Sequence, residues 1–216
     1  MQRVQRHLEA IYGLDEGFQA ADFVVDDETA MSLGATGRAA EELLMAHAPD
    51  GSIEVALFFS QTLREALESC VDAPERLTAE ALGAFCQLTE GVSHFLYLGH
   101  VTDAGRSLSL LEMETQAEVD KFATCVLMRW QSGRGAEELH HRLFESVDYV
   151  SGLSANERWR YREANRVSGA YCRGLLRHVR ARRLDRFLSD LRYAYRLGAH
   201  AKLRHLTRRR EMLFAG

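Results

Sequence analysis

Residues 78–101, TAEALGAFCQLTEGVSHFLYLGHV, and residues 109–130, SLLEMETQAEVDKFATCVLMRW, decide how this chain is read. Neither contains proline, and both are long enough for many turns of α-helix. Ser109, with Glu112 three residues on, forms a capping box that opens the second segment. The stretch between them is short, so the two helices are expected to fold back on each other as antiparallel neighbours, with the turn centred near Ala104. Residues equally far from that centre then sit at one height. Glu90 meets Glu118, and His94 meets Glu114.

Within each helix these residues are four apart and share a face. A Glu/His pair opposite a Glu/Glu pair could hold a divalent metal ion or supply acid–base groups. Asp120 and Lys121 lie close by. The helical wheel points the other way. Phe85, Thr89, Val92 and Leu96 form the main apolar arc of the first helix, and Glu90 and His94 fall nearly opposite, where solvated i, i+4 pairs belong. Glu118 is better placed, between Leu111, Phe122 and Cys125. The Glu-x-x-His signature of di-iron carboxylate bundles is absent. A metal or catalytic site and ordinary surface pairing both remain open at this point.

Toward the C-terminus the helical character continues. Gly133 and Gly135 interrupt it, 136–147 reads as a short helix, Ser154 and Glu157 form another capping box, and that helix runs to about His178. Leu184 to Met212 reads as one last helix. Toward the N-terminus the pattern changes. Val4 to Leu14 is a short amphipathic helix ending near Gly13. Residues 22–26, DFVVD, are short and β-branched. Ile53, Val55, Leu57 and Phe59 alternate onto one face as in a half-buried strand. Pro49-Asp50-Gly51 supplies a hairpin turn to a first arm around residues 42–47, a stretch that also suits a helix. Thr62 and Glu65 form a capping box for a helix to about Cys70, and Pro74 closes the region. The expected fold is α+β and mainly α: a small N-terminal helix plus β-hairpin lobe over 1–75, then an antiparallel helical bundle over 76–216.

The 216 residues are 46% hydrophobic and 27% charged, which excludes a disordered or collagen-like chain. No apolar run suits a membrane span, and the first residues lack the apolar stretch of a secretory signal. Four singly spaced cysteines, Cys70, Cys86, Cys125 and Cys172, suit buried free thiols in a reducing compartment, so a cytoplasmic protein without membrane attachment is expected.

The net charge of −4 conceals an asymmetry. Residues 1–149 hold 10 Lys/Arg and 26 Asp/Glu, whereas residues 150–216 hold 17 and 5. Arg158, Arg162, Arg166, Arg173 and Arg177 share one arc of a helix whose opposite side is apolar. Tyr193, Arg196 and Arg204 continue the basic character. Arginine favours bidentate contact with phosphate or carboxylate. One reading is a helical binding or adaptor protein whose arginines engage an acidic protein partner or nucleic acid, with Tyr193 as a stacking platform. Solvated or internally neutralised helix faces explain the same pattern. A homo-oligomer is a further expectation.

Four weaker signals remain. The glycine loop 34–38 could approach a phosphate but lacks the P-loop lysine. Residues 132–135 could bind an anion ahead of a helix. His140 and His141, being adjacent, point apart. Asn165, near an apolar arc, needs a partner.

Overall fold

The computed structural model describes residues 1–15, 17–47, 52–69, 79–131, 135–147, 149 and 151–213. The first helix, α1 (Gln2–Tyr12), ends at Gly13, whose left-handed φ of 63° allows the chain to turn away. A 3-10 turn (Ala20–Phe23) leads into strand β1 (Val24–Val25) and helix α2 (Asp27–Ser32). Strands β2 (Glu41–His47) and β3 (Ile53–Phe59) pair antiparallel, and β1 adds in parallel on the other side of β3. The arm that suited either structure is therefore a strand. Its turn at 49–51 lies outside the described residues, as do Cys70, Pro74 and the anion-site expectation at 132–134.

Alternation in β3 works as expected. Leu57 and Phe59 enter the main core, while Phe58 joins Ala30 and Ala35 under α2 on the opposite face of the sheet. Helix α3 (Gln61–Ser69) begins earlier than expected. The Ser60 hydroxyl, rather than that of Thr62, accepts from the Leu63 N–H at 3.3 Å.

Helices α4 (Ala79–Asp103) and α5 (Leu110–Met128) form the expected hairpin. Tyr97 meets Glu112, Ser93 meets Asp120, and Glu90 meets Lys121, so one helix descends as the other rises. Ser109 caps α5, but Glu112 does not close the box; its carboxylate instead accepts from the buried Tyr97 hydroxyl at 2.6 Å. Helix α6 (Ala136–Phe144) stops short of Val147. In α7 (Ala155–Arg180) both halves of the Ser154/Glu157 capping box are made.

The segment expected to be one last helix is two, α8 (Leu184–Arg196) and α9 (Ala199–Leu213). Leu197 is extended, and α9 restarts on the Gly198 carbonyl. The break turns α9 back onto α7 and buries Lys202 and Leu206, which a straight helix would carry away from the core. A single apolar cluster runs from α1 and β3 through α4, α5, α6, α7, α8 and α9. No described helix is long and apolar enough to cross a membrane. Cys86, Cys125 and Cys172 are buried free thiols.

Candidate metal centre

The four residues singled out on the central hairpin come together, and none of them is fully exposed. His94 and Glu114 are buried, and the side chains of Glu90 and Glu118 are only about one-fifth exposed. The helical wheel misjudged this face because the sheet covers it. Cross-strand partners share a face of a sheet, and Glu41 lies opposite Phe59 in the hairpin register. Both therefore point at α4. The approach is close at Gly91, where a Cβ would stand 2.8 Å from the Phe59 ring and 3.0 Å from Glu41 Oε2. Only a residue without a side chain leaves room for the carboxylate there.

His94 sits between two carboxylates. Its Nε2 lies 3.7 Å from Glu114 Oε2, and its Nδ1 lies 3.8 Å from Glu41 Oε1. Both separations exceed hydrogen-bonding range, and His94 Nε2 and Glu41 Oε2 have no hydrogen-bond partner among the described residues. One ligand atom from each of Glu90, His94 and Glu114 falls within 4.8 Å of the others. Lys121 bridges Glu90 at 2.9 Å and Glu118 at 2.8 Å. From α7, Arg160 places Nε 3.4 Å from Glu114 Oε1. Glu41, Lys121 and Arg160 complete a cluster that the spacing of the hairpin residues had only half revealed. Lys121 was visible in the sequence as a neighbour; Glu41 and Arg160 arrive from distant elements.

The electrostatics reflect burial among like charges. Burial, with Glu90 adding to it, pushes the Glu114 carboxyl up to about 8. Glu41 is raised well above the usual carboxylate range by burial and by Glu90 and Glu114. Burial raises Glu118 against the pull of Lys121. For Glu90 burial acts upward too, but Lys121 and His94 outweigh it and hold the group low. Burial carries His94 down to about 4, so its imidazole is neutral and able to bind a metal ion.

A second polar stripe runs along the other side of α5. Asp120 accepts from the Tyr12 hydroxyl, from Ser93 Oγ at 2.6 Å and from Gln116 Nε2 at 2.7 Å. Lys202 is fully buried with its ammonium 3.8 Å from the centre of the Tyr97 ring. None of these groups lines a described cavity, and Lys202 Nζ has no hydrogen-bond partner among the described residues.

The arginine stripe of α7 points outward, and much of it meets the protein's own carboxylates. Arg166 pairs with Glu163, Arg173 with Glu145, and Arg177 with Asp190, which also takes His178. Arg196 donates to the Tyr12 carbonyl at 3.2 Å, while Arg204 and Tyr193 are exposed. Arg158 and Arg162 flank Trp159, which is 60% exposed, and among the described residues no salt bridge reaches either arginine. The glycine loop is held by Glu42, which accepts from the N–H groups of Thr36 and Gly37. His140 is buried against the Gly169 carbonyl, His141 pairs with Glu145 at the surface, and Asn165 donates to the Leu143 carbonyl. Comparison with family models, curated proteins and solved structures finds no match to this chain.

Proposed function

We propose that this chain binds a divalent metal ion through Glu90, His94 and Glu114, with Glu41 orienting the imidazole. The observation that carries the reading is the buried, unbonded His94 Nε2 at 3.7 Å from Glu114 Oε2. Two ligands on a tetrahedral ion, each about 2.0–2.1 Å from it, stand about 3.4 Å apart. The observed gap is therefore close to that spanned by a shared ion and too long for a hydrogen bond. With the ion on Nε2, Nδ1 faces Glu41 Oε1 at 3.8 Å, and a closer approach of that carboxylate would give the carboxylate–histidine–metal arrangement that fixes the tautomer.

Charge balance supports the same reading. Glu41, Glu90, Glu114 and Glu118 face one ammonium and one guanidinium, from Lys121 and Arg160. Two negative charges are left over in a buried site, and one divalent ion cancels them. Without it, protons must do so, which matches the raised carboxyls of Glu41 and Glu114. Mixed imidazole and carboxylate donors favour zinc, iron or manganese over calcium or magnesium.

The test is metal analysis of the purified protein, followed by titration of the chelator-treated chain with Zn²⁺, Mn²⁺ and anaerobic Fe²⁺. About one ion per chain is expected, with a melting temperature that rises with free metal. His94→Ala and Glu114→Gln should remove stoichiometric binding, and Glu41→Gln should weaken it about 10–100-fold. Absence of bound metal together with no thermal shift from all three ions overturns the proposal.

A second reading rests on the exposed Trp159 between Arg158 and Arg162. Such a patch suits an acidic protein partner or nucleic acid, where guanidinium groups meet phosphate and an indole stacks. Binding of a single-stranded oligonucleotide should weaken as salt rises, and the Arg158→Ala/Arg162→Ala variant should reduce the salt slope by about 2. A flat titration at low salt ends the nucleic-acid version.

A further inference from the structure

A cavity of about 590 Å³ opens between the loop after α1, strand β3 and the C-terminal half of α4. Its walls are apolar and aromatic. Phe23 packs 4.9 Å from Phe95, and Phe18 meets Phe23 edge-on at 5.8 Å. Phe18 nevertheless remains 78% exposed at the rim, an aromatic ring left uncovered beside a preformed hollow. Volume and lining are those of a small-molecule site.

The polar end of the cavity has a definite sign. Asp15 and Asp103 contribute two exposed carboxylates and Glu9 a buried third that already accepts from Gln5 Nε2 at 2.7 Å, against Arg196 as the one guanidinium of the lining. That guanidinium is already engaged with the Tyr12 carbonyl. His100 adds no positive charge, because burial, with Arg106, Lys202 and Arg196 beside it, holds its pKa below the usual value. Its Nε2 is buried without a hydrogen-bond partner among the described residues. Carboxylates and aromatic faces together are what an ammonium group seeks.

We propose that this cavity binds an amphipathic organic amine, its apolar chain between the phenylalanines and its ammonium group beside the carboxylates of Asp15 and Asp103. The site is separate from the candidate metal centre, whose α4 residues Glu90 and His94 lie in an earlier part of the helix, so neither outcome decides the other.

The test compares octylamine, octanol and octanoate by calorimetry at pH 7 with the full chain. These probes share one tail length and differ in head group. Octylamine should bind at least tenfold more tightly than octanoate, with octanol between them. Asp15 and Asp103 are exposed, so the Asp15→Asn/Asp103→Asn variant leaves the core intact; it should cut the preference for the amine at least threefold. Phe18→Ser, also a surface change, should weaken all three probes severalfold. Octanoate binding as tightly as octylamine, a preference unchanged in the double variant, or no effect of Phe18→Ser overturns the proposal.

Discussion

His94 Nε2 and Glu114 Oε2 face each other across the α4–α5 hairpin at 3.7 Å, buried, with no hydrogen bond joining them. Glu41 stands at a similar distance from the other ring nitrogen. A neutral imidazole between two carboxylates in a buried site is a costly arrangement unless a cation or protons complete it. The following expectations test the packing that holds it there and the polar stripe behind it.

Gly91 is the point at which sheet and hairpin come closest. Gly91→Ala puts a methyl group 2.8 Å from the Phe59 ring and 3.0 Å from Glu41 Oε2. It should cost about 1–3 kcal/mol in denaturant unfolding and weaken metal binding by displacing Glu41. Gly83→Ala, on the same helix with open space around it, should be neutral or stabilising by up to about 1 kcal/mol. Equal effects at the two positions would show that the close approach does not matter.

Lys202 links stability to pH. Burial, opposed by Glu112 and Asp120 and aided by Arg106, lowers its pKa to about 7, whereas the unfolded chain keeps the ordinary value of about 10.4. Between these values the unfolded state holds the extra proton, so this residue's contribution improves as pH rises and is lost as pH falls toward 7. The slope is at most about 1.4 kcal/mol per pH unit. Glu114 titrates in the same region with the opposite sign, so the informative quantity is the difference between Lys202→Met and wild type. Chemical denaturation should find the variant's advantage largest at pH 7 and shrinking toward pH 10.

The Tyr12–Asp120 hydrogen bond ties α1 to the hairpin. Tyr12→Phe leaves Asp120 with Ser93 and Gln116 and should cost about 1–2 kcal/mol. Asp120→Ala takes the acceptor from Tyr12 and Ser93 and one of two acceptors from Gln116, and should cost more, about 3 kcal/mol or above. A double variant whose loss falls clearly short of the sum of the two would establish the coupling.

Helix starts offer a direct comparison. Ser154→Ala removes a complete capping box and should cost about 1 kcal/mol. Ser60→Ala should also destabilise, whereas Thr62→Ala should have little effect, because Ser60 supplies the hydroxyl at the start of α3. Thermal melts of the three variants check the assignment.

Several features follow from local sequence alone. Ser109 and Ser154 begin helices because their hydroxyls satisfy N–H groups three residues on. The short link between α4 and α5 folds the second helix back along the first and brings His94 to 3.7 Å from Glu114, although Glu90 meets Lys121 rather than Glu118. The alternation in β3 places Leu57 and Phe59 inside by the two-residue period of a strand.

Other features depend on which elements dock. Residues 184–213 carry no proline to mark the bend; Leu197 is extended, Gly198 follows it, and α9 then packs on α7. Burial of Glu90 and His94 could not be read from the wheel, because a wheel describes one helix and the sheet that covers this face comes from residues far away in the chain. Glu41 and Arg160 reach the same imidazole and carboxylate only through that packing. Local sequence thus determined most of the helices, strand β3 and the folding back of α5 on α4 through short-range hydrogen bonding and periodicity. Tertiary structure decided which charges lost their water, because desolvation depends on everything packed around a group.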